Sequence, residues 1–201
     1  MDIWAGRVLK GKRFLPLARA LFSSRHPQCR RQNAVEEAVR ADAVALLTRL
    51  HLAAMVIGDR GLGRKELIID LAKREQDLVP RVDPDITVYE ADHPEGRRLD
   101  VALAAQPWWG TVDWDRGQEG VLRCRLRVLR ATIRFSRTGR KDGVKEATVG
   151  FVQAVRGAEQ EHGAPTATPD PLVLATTLPV ETPAQARAVV RLYAQRWCRI
   201  R

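Results

Sequence analysis

The chain has 201 residues, of which 45% are apolar, and a formal net charge of +10. That apolar content excludes a disordered chain and suffices for a buried core. The charge excess favours polyanions, because a cation set on a phosphate releases a condensed counterion, although a merely soluble basic surface has the same composition.

Residues 4–9 and 14–22 read as two short strands joined by a basic turn in which Gly11 supplies the turn chemistry. A polar loop with Pro27 follows. Asn33 and Glu36 then stand at cap and capping-box positions of a helix. Val35, Val39, Ala43, Leu46, Leu47 and Leu50 give it an apolar stripe at helical spacing.

Residues 53–57 are a short, wholly apolar run, as expected of a central strand buried on both faces. Asp59, Arg60 and Gly61 lie at its C-terminal end. A second helix is expected over 64–74, with Leu67, Ile68 and Leu71 inward, and another strand over 78–82. Strands alternating with helices predict an α/β sheet.

From residue 84 to 170, Gly and Pro breaks separate three stretches of strand character, 99–104, 121–135 and 146–155. This region reads as a β-rich insertion. Arg123, Arg125 and Arg127 alternate at period two, so one face of their strand is cationic. Trp108, Trp109 and Trp114 cluster nearby, either to stack on bases or to form the insertion's own core. Residues 157–170 read as an exposed loop. An apolar strand over 172–177 precedes a last helix opened by Thr182 as cap and Pro183 at the first helical position. That helix carries Val189, Val190, Tyr193 and Trp197.

Cys29, Cys124 and Cys198 show neither disulfide nor zinc spacing, so reduced thiols are expected. The four histidines show no ligand or triad spacing, and the glycines at 58, 61 and 63 lack the spacing of a phosphate loop. The longest apolar run is far too short to span a bilayer, and no signal-peptide pattern opens the chain. The expectation is a soluble cytoplasmic protein with no membrane partner.

Asp59 is the most informative single residue. A carboxylate just past a buried strand sits at the rim of an open sheet, where ligands bind. It either offers oxygen to a hard cation such as Mg²⁺ or shapes the turn into the next helix. Tyr193 and Arg196 share a helix face, as a phosphate-holding pair or as a core Tyr beside a snorkelling Arg.

Two segments together resemble a known family. VIGDRGLG at 56–63 is similar to the strand and turn that carry the second catalytic Asp of insertion-sequence-four transposases. PLVLATTLPVETPAQARAVVRLYAQRW at 171–197 is similar to that family's closing block, a strand and a helix with a Y-x2-R-x3-E-x6-K signature. Phe14 to Leu17, with Gln32 and Asn33, also resembles the pattern upstream.

The resemblance implies an RNase H-like mixed sheet core with its first strand missing. Residues 1–83 and 171–201 would form its two parts, with the β-rich insertion, 84–170, before the last helix. It implies a DNA transposase whose DDE triad holds two Mg²⁺ ions and acts on transposon ends and target DNA in a synaptic complex, in a bacterial nucleoid. Asp59 would be a metal-binding catalytic carboxylate, and Tyr193 and Arg196 the signature residues that steady phosphates. Arg60, Arg123, Arg125, Arg127 and Trp197 would contact DNA.

The chain departs from the pattern at both ends. Asp2 stands too close to Leu15 and Pro16 to be the first catalytic Asp. Ile200 stands where the signature Glu belongs, and the signature Lys is absent. The expectation is therefore a catalytically incomplete copy. A non-catalytic DNA-binding remnant is the alternative, and a poorly folded product of a decayed element is a third reading.

Overall fold

The computed structural model describes residues 2–9, 13–21, 32–115, 120–136, 143–156 and 171–195. The chain divides into two compact units, one of residues 1–54 with 197–201, the other of residues 55–196.

In the first unit, β1 (Asp2–Leu9) and β2 (Arg13–Leu21) form an antiparallel hairpin, and α1 (Gln32–Arg49) lies against both strands. Val39, Ala43 and Leu47, four residues apart, are its buried face. The helix starts at Gln32, so Asn33 belongs to its first turn instead of capping it. Leu50, expected in the stripe, is exposed. The helix has already ended there, with His51 in the left-handed region at φ 53 and Leu52 N donating back to Leu47 O.

The second unit begins with a strand–helix–strand crossover. β3 (Met55–Gly58) and β4 (Asp77–Pro80) are parallel neighbours, and α2 (Lys65–Lys73) links them. A short 3-10 turn, Arg60–Leu62, lies between β3 and α2. Gly63 closes this turn against the backbone: a Cβ there would lie 2.1 Å from Arg81 O, so only glycine allows the approach.

The expected strand over 99–104 is a helix, α3 (Leu99–Ala104). Its buried residues Leu99, Ala102 and Leu103 follow the helical period, and Asp100 accepts from Val101 N in the first turn. A short apolar run carries too few residues to show which period it follows, and here packing decided. Three strands were not anticipated: β5 (Thr87–Glu90), β6 (His93–Arg98) and β7 (Thr111–Asp115). β5 and β7 alternate over only four and five residues, and β6 is polar and charged, so none shows the period over enough residues. The remaining strands fall where expected, as β8 (Val121–Phe135), β9 (Lys145–Arg156) and β10 (Leu172–Thr176). Residues 157–170, expected to form a loop, lie outside the described residues.

The larger sheet runs β10–β9–β8–β5–β6, and β7 also pairs with β8. β4 joins β10 through the antiparallel bridge Arg81 to Leu174 and the bond Val82 N to Val173 O, 2.9 Å. The protein is thus mixed α/β, and its sheet is mostly antiparallel. Residues 55–83, the β-rich stretch and the closing strand and helix share this unit.

Both faces of the sheet are covered. On one, α2 and α3 enclose Leu129, Ala131, Ile133, Phe151 and Val173. On the other, α4 (Pro183–Ala194) packs over Val79, Leu126, Val128, Val152 and Leu174. Among the described residues no helix is long and apolar enough to cross a membrane.

Candidate functional site

Asp59 is the first residue beyond β3 and is exposed. Its Oδ1 accepts from Arg60 N at 3.0 Å and so caps the 3-10 turn. This is the turn-shaping role that sequence alone left open. Capping does not exhaust the carboxylate, because an ionised group has about four acceptor positions.

The second half of the site comes from α4. Thr182 Oγ1 accepts from Gln185 N, and Gln185 Oε1 accepts from Thr182 N, a complete capping box with Pro183 just inside. This start fixes the helix phase. Ala186, Val189, Val190 and Tyr193 then face the sheet, and Tyr193 is fully buried. Its ring belongs to the cluster around Val79, with Met55 and Ile57 packed against it. Its hydroxyl donates to Asp59 Oδ1 at 3.5 Å, across 134 residues of sequence. A buried tyrosine hydroxyl calls for a hydrogen-bond partner, and Asp59 at the exposed rim supplies one.

The Nε of Arg60 lies 3.4 Å from Asp83 Oδ1. Both groups are well exposed, so this pair contributes little to stability. Lys65, at the start of α2, is held below its ordinary pKa by burial, with Asp85 pulling partly back.

Arg81 was missed in the sequence. It stands opposite Leu174, whose side chain is in the α4-side core, so alternation directs Arg81 to the Tyr193 side. Its Nε is buried and has no hydrogen-bond partner. The signal was its place one residue past a parallel strand, at the same edge as Asp59.

The expected cationic face of β8 is present. Arg123 and Arg125 are exposed and Arg127 is half-buried, while Cys124, Leu126 and Val128 between them are buried. Trp108 lies against the first group of residues, with the Arg125 guanidinium 4.0 Å and that of Arg127 3.8 Å from its ring centre. Trp109 and Trp114 instead pack against the α4-side core, so the three tryptophans have two different roles.

These arginines do not face the Asp59 rim. Arg127 pairs with Gln153, and Gln153 with Val173, which lies in the core under α2. The stripe therefore points to the α2 side, whereas Asp59 meets Tyr193 on the α4 side. Arg196 and Trp197 lie outside the described residues.

A divalent cation of the Mg²⁺ type keeps several waters and takes one or two carboxylates plus phosphate oxygens. Asp59 suits one such position. Among the described residues no three Asp, Glu, His or Cys side chains converge as a ligand set. Asp59 could thus supply one ligand, with no such set around it among the described residues. A comparison of the chain with protein-family models and with curated proteins finds no match.

Proposed function

We propose that this chain is a part of a DNA transposase of the insertion-sequence-four kind, with an RNase H-like core, and that it binds DNA without cleaving it unaided. The meeting of Tyr193 with Asp59 carries this reading, because it joins the two motifs on which the family resemblance rests. A parallel strand pair ending in a carboxylate, a β-rich stretch, and a closing strand and helix form the accompanying order.

In this reading Asp59 offers one oxygen ligand to Mg²⁺ when that ion is bound. The Tyr193 hydroxyl orients the carboxylate, and Arg81 holds a phosphate oxygen at the same rim. In-line displacement on DNA takes two ions held by several carboxylates. Cleavage thus requires carboxylates beyond those the described residues bring here. The partners are transposon ends and target DNA, in the bacterial cytoplasm.

Arg123, Arg125 and Arg127 beside Trp108 favour a second reading, a purely DNA-binding remnant. Three phosphate contacts give a log–log salt slope of about −2.7 on duplex DNA. The test measures binding of a terminal-repeat duplex at rising salt, then nicking with Mg²⁺. The expected result is salt-sensitive binding without nicking, and a slope flattened by replacing all three arginines with alanine. Mg²⁺-dependent nicking abolished by Asp59→Ala would uphold the transposase reading and refute the lack of cleavage. No duplex binding at low salt would refute both readings.

A further inference from the structure

A second basic site lies on the α4 side of the sheet, on the outer part of β8 and four strands across from β3. It is a depression of about 430 Å³ bordered by Tyr89, Glu90, Arg130, Thr132, Arg134 and Thr148. The side of β8 that carries Leu126 and Val128 under α4 continues as Arg130, Thr132 and Arg134 beyond the helix.

Each wall is held in place. Thr132 and Thr148 are cross-strand partners with hydroxyls 2.9 Å apart. Tyr89 stands opposite Thr132 on β5. Gly96, at φ +84, leaves room for its ring: a Cβ there would lie 2.7 Å from Tyr89 Cε1. The Arg134 guanidinium covers the ring at 4.2 Å and is tied by Nε to Glu146 at 3.0 Å.

The carboxylate in the lining and the one tied to Arg134 are already engaged. Glu90 accepts from Arg97 Nε at 2.7 Å, and Glu146 from Arg134. Arg130 is exposed and makes no ion pair with a described residue. Of the arginines that line the depression, Arg134 is paired with Glu146, and Arg130 is the one with no carboxylate partner among the described residues.

We infer that this depression binds a phosphoryl group, with Arg130 as its principal donor and Arg134, Tyr89 and one hydroxyl of the Thr132–Thr148 pair as supporting donors. A forked guanidinium beside several hydroxyls suits a tetrahedral anion with many acceptor oxygens better than a planar carboxylate. The phosphoryl group belongs either to a nucleic-acid backbone or to a small free phosphate. The inference does not depend on the transposase reading, since it uses none of the residues at the Asp59 rim.

The test is calorimetric titration of the full chain at low salt with inorganic phosphate and, separately, with a duplex oligonucleotide. Arg130→Gln is compared with wild type and with Arg156→Gln, a control at the other end of the sheet. Loss of one charge-assisted contact is expected to weaken binding about tenfold, with an unchanged melting temperature and partial recovery in Arg130→Lys. Weakening of both ligands identifies a backbone phosphate. Weakening of phosphate alone identifies a small anion. If neither ligand distinguishes Arg130→Gln from wild type, or Arg156→Gln weakens binding equally, the site is refuted. Phosphate binding at Arg130 and Mg²⁺-dependent nicking at Asp59 are separate measurements on different residues, so the failure of this site and that of the transposase reading are separable.

Discussion

Val128 and Leu129 are consecutive on β8 and both buried, yet their side chains lie in different cores, Val128 under α4 and Leu129 under α2 and α3. The cover of the strand changes sides between them. Before this point the odd-numbered residues Arg123, Arg125 and Arg127 lie outside the two helix-covered cores, Arg127 half-buried against Trp108. After it the even-numbered Arg130 and Arg134 do so. One strand thus presents arginine on both faces of the sheet without breaking its alternation.

The turn beside Asp59 depends on one glycine more than on its neighbour. Gly63→Ala would set a Cβ 2.1 Å from Arg81 O, a backbone atom that cannot swing aside. We expect a loss of about 1–3 kcal/mol in urea unfolding, as for other overpacked sites. Gly61→Ala meets nothing within 4 Å and is expected to stay within about 0.5 kcal/mol of wild type. Equal effects of the two would contradict the close approach.

α2 ends on a residue in the wrong chemistry for its backbone. Glu75 has φ 55, and Gln76 N donates back to Leu71 O in the helix-ending pattern that favours glycine. Glu75→Gly removes the Cβ clash, and the variant should be more stable by about 1 kcal/mol. Thermal unfolding would show this as a raised midpoint. A lowered midpoint would mean that the side chain contributes contacts worth more than the strain.

Gln153 is 6% exposed, and its Oε1 has no hydrogen-bond partner. Its neighbour across the strands, Arg127, buries an Nε that also lacks one. Leaving a polar atom dry costs more than an apolar group of the same shape. Gln153→Leu is expected to stabilise by about 1 kcal/mol while leaving the sheet intact. Denaturant midpoints at a constant slope would verify it, and a destabilised variant would show that the amide is satisfied in solution.

The Asp100 carboxyl lies below its ordinary 3.8 mainly through its side-chain bonds with Arg98, partly opposed by burial. A carboxyl with a depressed folded pKa binds fewer protons folded than unfolded. Its stabilisation is therefore present above the unfolded value and is lost as pH falls through the folded one. The pair is exposed, so the effect is small. Asp100→Asn should be slightly less stable than wild type at pH 7, with the two converging as pH falls through the folded value. A gap that persists at acid pH would assign the difference to something other than this charge.

Local chemistry in the sequence determined the crossover from β3 to β4, the start of α4 and the long strands β8 and β9. Thr182 and Pro183 announce a helix start within a few residues, and an apolar run ending in Gly58 and Asp59 announces a strand and its rim, although β3 pairs with β4 alone among the described residues and is half-buried, Val56 and Gly58 buried and Met55 and Ile57 partly exposed, instead of central and buried on both faces. Such signals are contained in the segment that uses them. Alternation likewise revealed that Arg123, Arg125 and Arg127 share a side.

Only the tertiary structure decided which side that was. Alternation fixes relative faces within a strand, but cover comes from helices distant in sequence, and here it placed the arginine stripe away from Asp59. The same reason hid Arg81 and the depression around Arg130. It also turned 99–104 into a helix, because burial of Leu99, Ala102 and Leu103 against the sheet outweighed a short apolar run's weak preference for a strand.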